Sequence, residues 1–145
     1  DLNQNKKKIA KKLSLNFVDF TKVDNFNCMI NTTSSYKVLN DCFMKLNLDG
    51  KLIEASWYGN KIGKINLGND FHSKRLKIIS SQVSNLPAHK QKKHNYKSRL
   101  KIAIDALSSN KIMALINSNS NFKNLESDYI SILNNENIII HAIKY

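Results

Sequence analysis

The sequence predicts an α/β protein built on a parallel sheet, and three observations support this fold class. Two strand signals, Leu52–Ser56 and Leu76–Ser81, each end in small or polar residues. An Asp49–Gly50 turn precedes the first of them. Strand signals alternate with amphipathic helices along the chain, an order typical of parallel sheets with right-handed crossovers. Because ligands of open α/β sheets bind beyond the carboxyl ends of the strands, we interpret these two strands as late strands of a nucleotide-binding sheet.

The elements before Gly50 follow from hydrophobic spacing. In order, the spacing predicts a helix over Lys6–Leu13 with Asn5 as its N-cap, strands over Asn16–Phe20 and Asn25–Asn31, and a helix over Tyr36–Leu46. The second strand is apolar enough to be a buried parallel strand. Residues 47–50 are predicted to end the second helix, with Gly50 just past its C-terminus.

The character of the chain changes after Val83. The predicted elements are a helix over Tyr96–Leu107, a strand over Lys111–Ile116, a polar loop over Asn117–Asn121, a helix over Lys123–Leu133 and a strand over Asn137–Tyr145. The first of these helices is expected to turn Leu100, Ala103, Ile104 and Leu107 inward. The second is expected to turn Leu125, Tyr129, Ile132 and Leu133 inward.

The charge of the chain invites a nucleic-acid hypothesis. The 145 residues carry a net charge of +12, and nearly all of it is lysine. Lysine spread along a chain is typical of a solvated surface, and it speaks to solubility more than to fold. The best case for a small basic nucleic-acid-binding module is His89–Lys101, whose clustered lysines could neutralise phosphates. No sequence signature of a known nucleic-acid-binding motif accompanies it, so this function is the alternative and not the main prediction.

Cysteine usage and hydropathy indicate a cytoplasmic protein. Cys28 and Cys42 lack metal-ligand spacing and are interpreted as core thiols in a reducing compartment. The four histidines are scattered, so the sequence offers no metal site. The apolar runs are too short to cross a bilayer, and the lysine-rich N-terminus has no apolar core of a secretory signal, so no membrane partner is expected.

Three segments resemble one enzyme family. They are DLNQNKKKIAKKLSLN at the N-terminus, SWYG followed by LGNDFHSKRLKIISSQV in the middle, and NFKNLESDYISILNNENIIIHAIKY at the C-terminus. Together they are similar to the C-terminal part of the zinc-type alcohol dehydrogenases, the medium-chain dehydrogenase/reductase family. The resemblance implies a partial Rossmann-type parallel sheet. Residues 1–84 would be the C-terminal portion of a coenzyme-binding domain, and residues 85–145 would be helices and a closing strand that return to a GroES-like catalytic domain.

The resemblance also implies hydride transfer between NAD(P) and a small alcohol or carbonyl substrate. Zinc is expected only in the N-terminal domain, whose ligands are not among these residues, and the phosphate-binding G-x-G-x-x-G motif is not among them either. The isolated chain is therefore expected to be an inactive fragment, and a partial gene product without function is a further alternative. A homo-oligomer is possible, and the sequence does not decide it.

The resemblance assigns coenzyme contacts to strand ends. Asp1 matches the acidic residue that accepts hydrogen bonds from the adenosine ribose, which favours NAD over NADP. The other expected contacts are Thr32, Thr33, Ser56, Trp57, Tyr58, Ser80, Ser81 and Gln82. No catalytic or metal-binding residue is assigned.

Each assignment has a simpler alternative. Asp1 could be an exposed terminal residue, Thr33 or Ser34 could cap the next helix, Trp57 could pack in the core, and Ser80–Gln82 could merely end a strand. Ser34 stands where the family has glycine, which puts close backbone approach to a coenzyme in question there. His72 and Arg75 belong to the resembling motif and are expected to shape the loop before the last strand.

Overall fold

The computed structural model describes residues 3–108 and 110–145, and these fall into two compact units. One unit is Thr21–Gln91, and the other combines the residues up to Phe20 with Lys92–Tyr145. The sequence predicted a division between residues 1–84 and 85–145. That division concerns the roles of the two parts in a complete enzyme, and it stays a prediction.

At least one helix lies between each pair of successive strands. The helices are α1 (Lys7–Lys12), α2 (Tyr36–Lys45), α3 (Asn69–Ser73), α4 (Ala88–Gln91), α5 (Tyr96–Leu107), α6 (Asn110–Met113) and α7 (Leu125–Asn134). The strands are β1 (Phe26–Asn31), β2 (Leu46–Glu54), β3 (Lys77–Ser80), β4 (Ile116–Asn121) and β5 (Ile140–Lys144). Short 3-10 turns lie at Gln4–Lys6, Phe20–Lys22 and Phe122–Asn124. Within the described residues, no helix combines the length and hydropathy that a bilayer crossing requires.

The unit Thr21–Gln91 is built on a three-stranded sheet in the order β1-β2-β3, and both pairs are parallel. Met29 is paired with Leu52, and Leu52 is paired with Ile78, so these residues form one row across the three strands. Parallel neighbours need a crossover connection, and α2 connects β1 to β2. The predicted fold class, α/β with a partial Rossmann-type parallel sheet, is confirmed.

The core of this unit lies between the sheet and α2. The Ser35 hydroxyl caps α2 by accepting the Val38 N–H, and the helix then buries Leu39, Cys42 and Phe43. These side chains share the core with Leu46, Leu52 and Leu76. Burial, aided by the nearby charges of Asp41 and Glu54, raises the pKa of the Cys42 thiol to about 11. The Cys42 thiol is therefore protonated at neutral pH, and the prediction that it lies in the core is confirmed.

The opposite face of the sheet is largely open. Ile30, Ile53 and Ile79 are paired across the three strands, and Ile30 is 66% and Ile79 45% exposed. Cys28 lies on the same face, two residues from Ile30, and is exposed. The predictions that Cys28 is a core thiol and that β1 is a buried strand are therefore wrong for this face. The error arose because an apolar run shows which residues can be buried and not what covers them.

Two local predictions in the first half of the chain are wrong. Asn16–Phe20 is not a strand, and a 3-10 turn begins at Phe20. Helix α2 ends at Lys45, and Gly50 lies inside β2, where Asp49 has a φ of 61° and the register between β1 and β2 shifts. A Cβ on Gly50 would lie 2.8 Å from the Asn47 carbonyl oxygen, so this glycine permits a tight irregularity within a strand. The residues do form a turn-like irregularity, but it lies within a strand and not at the end of a helix.

In the other unit, β4 and β5 form a two-stranded parallel sheet. The predicted loop Asn117–Asn121 is strand β4, and the predicted strand Lys111–Ile116 includes the end of the helical turn α6 instead. The sequence INSNSN lacks strand propensity, but Ile116 and the two serines alternate with more exposed residues along β4. Cross-strand pairing with β5 decides this conformation and overrides propensity. The predicted strand at the C-terminus is confirmed as Ile140–Lys144.

Helices α1, α5 and α7 lie where the sequence predicted them. Their capping residues and the exposure of their predicted inner faces differ from the prediction. Asn3, and not Asn5, caps the N-terminal turn, since its Oδ1 accepts the Asn5 N–H at 2.9 Å. Helix α5 begins with a capping box in which Asn95 and Ser98 each accept the backbone N–H of the other. Its predicted inner face is open, and the Leu100 side chain is 62% exposed. On α7 the predicted inner residues Tyr129 and Leu133 are also exposed, whereas Leu125 and Ile132 are half-buried.

We predict that Gly63→Ala destabilises the unit Thr21–Gln91 by about 1–3 kcal/mol, the cost typical of overpacking. A Cβ at this position would lie against the Tyr36 ring, far inside van der Waals contact. Tyr36 cannot easily move aside, because its hydroxyl donates to the Lys61 carbonyl at 2.9 Å and its ring packs 4.7 Å from the Tyr58 ring. Urea unfolding followed by circular dichroism measures the effect.

The matched control is Gly68→Ala in the same loop. There an added Cβ would meet only the Asn66 side chain at an ordinary 3.5 Å. This substitution should cost only about 0.5 kcal/mol, because Gly68 is the N-cap of α3 and alanine is less favourable than glycine at that position. Equal effects of the two substitutions would contradict the packing described for Gly63.

Candidate functional site

The carboxyl ends of β1, β2 and β3 lie side by side at one edge of the parallel sheet. Asn31, Glu54 and Ser80 are paired across the three strands at this edge. The backbone ladder continues one residue further, since Ala55 N–H donates to the Asn31 carbonyl at 2.9 Å and Ser81 N–H donates to the Glu54 carbonyl at 2.8 Å. We call this region, residues 31–35, 54–58 and 80–82, the strand-end edge.

Eight of the nine predicted site residues belong to the strand-end edge. Thr32 and Thr33 follow β1, the segment Ser56–Tyr58 follows β2, and Ser80–Gln82 end and follow β3. Asp1 lies outside the described residues, so its predicted ribose contact stays a prediction. In the sequence, these three groups of residues share only the fact that each follows a predicted strand. The parallel topology brings the three groups to the same edge of the sheet.

The carboxylate of Glu54 is the centre of the strand-end edge. Its Oε2 accepts hydrogen bonds from Asn31 Nδ2 at 2.8 Å and from the Tyr58 hydroxyl at 3.1 Å. Its Oε1 accepts the Ser56 N–H at 3.0 Å and also the Ser56 hydroxyl. Four donors thus converge on two oxygen atoms, an arrangement that strongly favours an ionised carboxylate.

The titration behaviour of Glu54 follows from these contacts. Burial raises the pKa of its carboxyl, but hydrogen bonds from Ser56, Asn31 and Tyr58 outweigh burial and hold the pKa below the ordinary glutamate value. Burial and the adjacent Glu54 carboxylate raise the pKa of the Tyr58 hydroxyl, which therefore remains a donor at neutral pH. Glu54 is a fixed negative charge at the end of the central strand.

Asn31 links Glu54 to the segment after β1 through hydrogen bonds. Its side chain is only 3% exposed. While its Nδ2 donates to Glu54, its Oδ1 accepts the Thr33 N–H at 3.1 Å and the Thr33 hydroxyl at 2.8 Å. The orientation of the Asn31 amide is therefore fixed, because its amino group donates a hydrogen bond and its carbonyl oxygen accepts two.

A second link joins the same two segments. The Ser34 N–H donates to the Ser56 Oγ at 3.0 Å, and the Ser34 hydroxyl donates to the Trp57 carbonyl at 3.0 Å. Because Ser56 is bonded to Glu54 and Thr33 to Asn31, the hydrogen bonds close a ring that runs through both segments. Thr33, Ser56 and Tyr58 are thus held directly in this network.

The remaining predicted residues face solvent at the same edge. Thr32 and Ser80 are exposed, and the Trp57 side chain is 89% exposed, which rules out the alternative that it packs in the core. Gln82 Oε1 accepts the Ser84 N–H at 2.6 Å and so shapes the chain after β3. This exposed group leaves hydroxyls, an indole and backbone groups available to a ligand.

The alternative in which Thr33 or Ser34 caps α2 is wrong, because Ser35 is the N-cap. Thr33 supports the cap indirectly, since its hydroxyl accepts the Ser35 N–H at 3.3 Å. Ser34 has a φ of 51°, a conformation that glycine adopts without strain and other residues adopt at a cost. The backbone here has the shape that a glycine would favour, although the residue is serine.

Arg75 shapes the turn before β3, as the sequence predicted for the His72–Arg75 motif. Its guanidinium donates to the Asp49 carboxylate through Nε at 3.0 Å and through NH2 at 2.6 Å. The backbone N–H of Arg75 donates to the His72 carbonyl at 3.1 Å. The hydrogen bond from Arg75 lowers the pKa of Asp49. This pair holds two left-handed residues, Asp49 and Arg75, beside each other at the start of the sheet and away from its carboxyl edge.

The other unit contains two polar arrangements that the sequence did not reveal. Between β4 and β5, His141 is bonded through Nδ1 to Ser118 Oγ and through Nε2 to Ser120 Oγ, both at 2.9 Å. Both ring nitrogens are therefore engaged in joining the two strands. A cavity of about 780 Å³ is lined mainly by carboxamides, two of which bond each other through Asn5 Nδ2 and Asn137 Oδ1 at 3.0 Å.

Across residues 3–108 and 110–145, no three histidine, cysteine, aspartate or glutamate side chains are grouped so that they could hold a metal ion. The strand-end edge offers groups that can form hydrogen bonds or pack against a ring. They comprise hydroxyl and backbone groups, one aromatic surface, and a carboxylate already engaged with protein donors. Such groups suit a neutral or hydroxyl-rich ligand surface better than they suit bond-making chemistry of their own.

The structure is similar to several solved dehydrogenases. Over its whole length the chain matches 42% of 2R,3R-butanediol dehydrogenase from Bacillus subtilis, with a TM-score of 0.74 and 13% identity. It matches 41% of L-idonate 5-dehydrogenase from Escherichia coli, with a TM-score of 0.74 and 11% identity. It also matches 41% of Haloferax mediterranei glucose dehydrogenase, in a structure with NADP, Zn and gluconolactone, with a TM-score of 0.67 and 12% identity.

These similarities establish the fold, which is that of part of such dehydrogenases. The chain spans only about two fifths of each of these proteins. No protein-family model matches the sequence, and no curated protein matches it.

Sequence reasoning missed Asn31 and Glu54, the two residues that organise the strand-end edge. A signal was present. Glu54 lies two residues after buried Leu52, and Asn31 lies two residues after Met29, so the period of a strand places both on the covered face of the sheet. A carboxylate at the end of a buried strand face requires donors, and two hydroxyl residues lie within four positions of it.

We predict that Ser34→Gly is more stable than Ser34→Ala by about 1 kcal/mol. Both substitutions remove the hydroxyl that donates to the Trp57 carbonyl, but only glycine relieves the positive φ. The pair therefore isolates backbone strain from the lost hydrogen bond. The measurement is the free energy of urea unfolding, and equal stability of the two variants would show that the backbone at residue 34 is unstrained.

We also predict a pH-dependent difference between the unmodified chain and Glu54→Gln. The folded-state pKa of Glu54 lies below its unfolded value of about 4.3, so the carboxylate stabilises the fold above that pH. The stabilisation is lost as the pH falls through the lowered folded-state pKa. The difference in free energy of unfolding should be constant near neutrality and should shrink in acid.

The control for this titration is Glu126→Gln. Glu126 is an exposed residue of the first turn of α7, in the other unit. Its substitution removes the same charge without touching the strand-end edge. A Glu54→Gln effect that grows as the pH falls would contradict the lowered pKa of Glu54.

Proposed function

We propose that the chain is the C-terminal part of a zinc-type alcohol dehydrogenase-like oxidoreductase and that its strand-end edge holds the nicotinamide end of the coenzyme. The observation that carries the proposal is the convergence of three parallel strand ends, each followed by residues that the family resemblance assigns to coenzyme contact. Carboxyl ends of parallel strands are where open α/β sheets bind ligands. The fold likeness over the whole chain supports the same conclusion.

The roles proposed for the residues are those of binding. Ser80–Gln82 would hold the carboxamide through backbone groups, Ser56–Tyr58 would lie beside the nicotinamide ring, and Thr32 and Thr33 would contact the coenzyme at the end of β1. The coenzyme supplies the hydride chemistry when it is bound. The substrate, an alcohol or carbonyl compound, and the zinc would be handled by residues outside this chain, so we do not expect the isolated chain to catalyse the reaction.

We propose NAD as the preferred coenzyme. The support is the acidic Asp1, since a carboxylate at the end of a second Rossmann strand accepts the ribose hydroxyls and repels a 2′-phosphate. Similar structures carry either coenzyme, with NADH in one Escherichia coli dehydrogenase and NADP in the Haloferax mediterranei enzyme. The nucleic-acid-binding alternative rests on the net charge and on the lysine cluster of His89–Lys101, and no contact at the strand-end edge favours it.

The test is a fluorescence titration with NADH. Trp57 is the single tryptophan of the chain, and its exposed indole lies at the strand-end edge. Binding of the nicotinamide there should quench Trp57 emission and sensitise emission from the reduced nicotinamide. We expect NADH to bind more tightly than NADPH, as measured by calorimetry on the same samples.

Controls are needed because a chain with a net charge of +12 attracts any polyanion. ATP shares the adenine and the phosphates but lacks the nicotinamide, so it should leave Trp57 emission unchanged. Ser80→Asp adds a carboxylate at the edge and should raise the Kd for NADH about five- to tenfold, whereas Ser127→Asp on α7 should not. Absence of NADH binding, or binding that leaves Trp57 emission unchanged, would overturn the proposed function.

A further inference from the structure

We infer that Glu54 and Asn31 are positioning residues that hold residues 32–35 and 55–58 in one fixed arrangement for the ligand. The inference rests on the proposed function and adds a specific device to it. Neither residue is assigned as a coenzyme contact by the family resemblance. The polar side-chain atoms of both residues form hydrogen bonds with neighbouring protein groups.

Glu54 lies where three strand ends come together. Three strand ends meet at Glu54, because its carbonyl accepts from Ser81 while its carboxylate accepts from Asn31, Ser56 and Tyr58. A single side chain thus ties the residues after β2 to the last residue of β1. Loss of this side chain would leave buried donors without acceptors, which is the costly outcome for a polar network.

The network fixes the two segments that carry exposed groups of the strand-end edge. Thr33 and Ser56 are held by Asn31 and Glu54, and Ser34 is held by Ser56 and the Trp57 carbonyl. The exposed groups of the strand-end edge after β1 and β2 are carried on these same segments. Their positions are therefore determined by hydrogen bonds made on the protein side, as a preorganised binding surface requires.

Donors and acceptors are matched between Glu54 and Asn31. Glu54 acts only as an acceptor, and Asn31 presents its amino group to Glu54 and its carbonyl to Thr33. Glu54→Gln alone would turn an amino group towards the Asn31 amino group or towards the Ser56 donors. Asn31→Asp alone would set a second carboxylate against Glu54. Each single substitution therefore breaks the network at a different atom.

The double substitution Asn31→Asp/Glu54→Gln restores the match. The glutamine introduced at position 54 would keep a carbonyl oxygen for Ser56 and would donate to the new carboxylate at position 31, which still accepts from Thr33. The Tyr58 hydroxyl, which donates to Glu54 Oε2 and lies 3.3 Å from Asn31 Nδ2, would donate to that new carboxylate instead. The negative charge moves from β2 to the neighbouring strand β1, and the contacts with Ser56 and Thr33 keep their direction. This exchange separates the role of the network from the role of a charge at position 54.

The experiment measures backbone amide hydrogen exchange and NADH affinity in the full chain. In each single variant, the amides of Thr33, Ser34 and Ser56 should exchange at least about tenfold faster, and the Kd for NADH should rise by about tenfold. In the double variant, both quantities should return to within about threefold of the unmodified chain. Glu126→Gln is the control and should change neither.

The outcomes separate this inference from the proposed function. Unchanged exchange in the single variants, or faster exchange with unchanged NADH affinity, overturns the positioning role. Recovery of exchange protection without recovery of affinity in the double variant also overturns it, because the charge itself would then be what the ligand needs. If the unmodified chain fails to bind NADH, the proposed function is overturned, and the exchange rates still decide whether the two residues order the edge.

Discussion

The strand-end edge depends on the hydrogen bonds that the ionised carboxylate of Glu54 accepts. A charge at the end of a central strand is costly to desolvate unless donors replace water, and here four protein donors do so. Those donors come from β1 and from the segment after β2, so satisfying one charge fixes two separate parts of the chain. The same arrangement explains why the pKa of Glu54 is low although the residue is half-buried.

The sheet itself follows from simpler constraints. Helix α2 carries an apolar stripe at helical spacing, β2 alternates, and the two can bury their apolar faces only against each other. Once α2 serves as a crossover, β1 and β2 must be parallel, and their carboxyl ends must lie at one edge. The position of the candidate site is thus a consequence of topology, and the hydrophobic pattern of residues 26–54 determines that topology.

The sequence predicted this topology and eight of the residues at the edge, but not the contacts between them. Periodicity identifies a strand and its covered face, whereas the partners of Asn31 and Glu54 depend on which strands are neighbours and in what register. The failures have the same origin. Residues 117–121 form a strand only because β5 lies beside them, and Gly50 lies within a strand because β1 and β2 pair around an irregular stretch. Local sequence cannot specify a partner that is distant along the chain.

Charge sets the limits of what the strand-end edge can recognise. The chain as a whole is strongly basic, yet the charged side chain at the centre of this edge is an acid whose oxygens are already occupied by protein donors. A polyanion attracted by the lysines would find no cationic side chain among residues 31–35, 54–58 and 80–82. What these segments offer instead is hydroxyls, backbone groups and the exposed Trp57 ring, held still by a network beneath them. Selection at this edge would therefore depend on shape and hydrogen bonding, and the net charge of the chain would contribute only attraction without specificity.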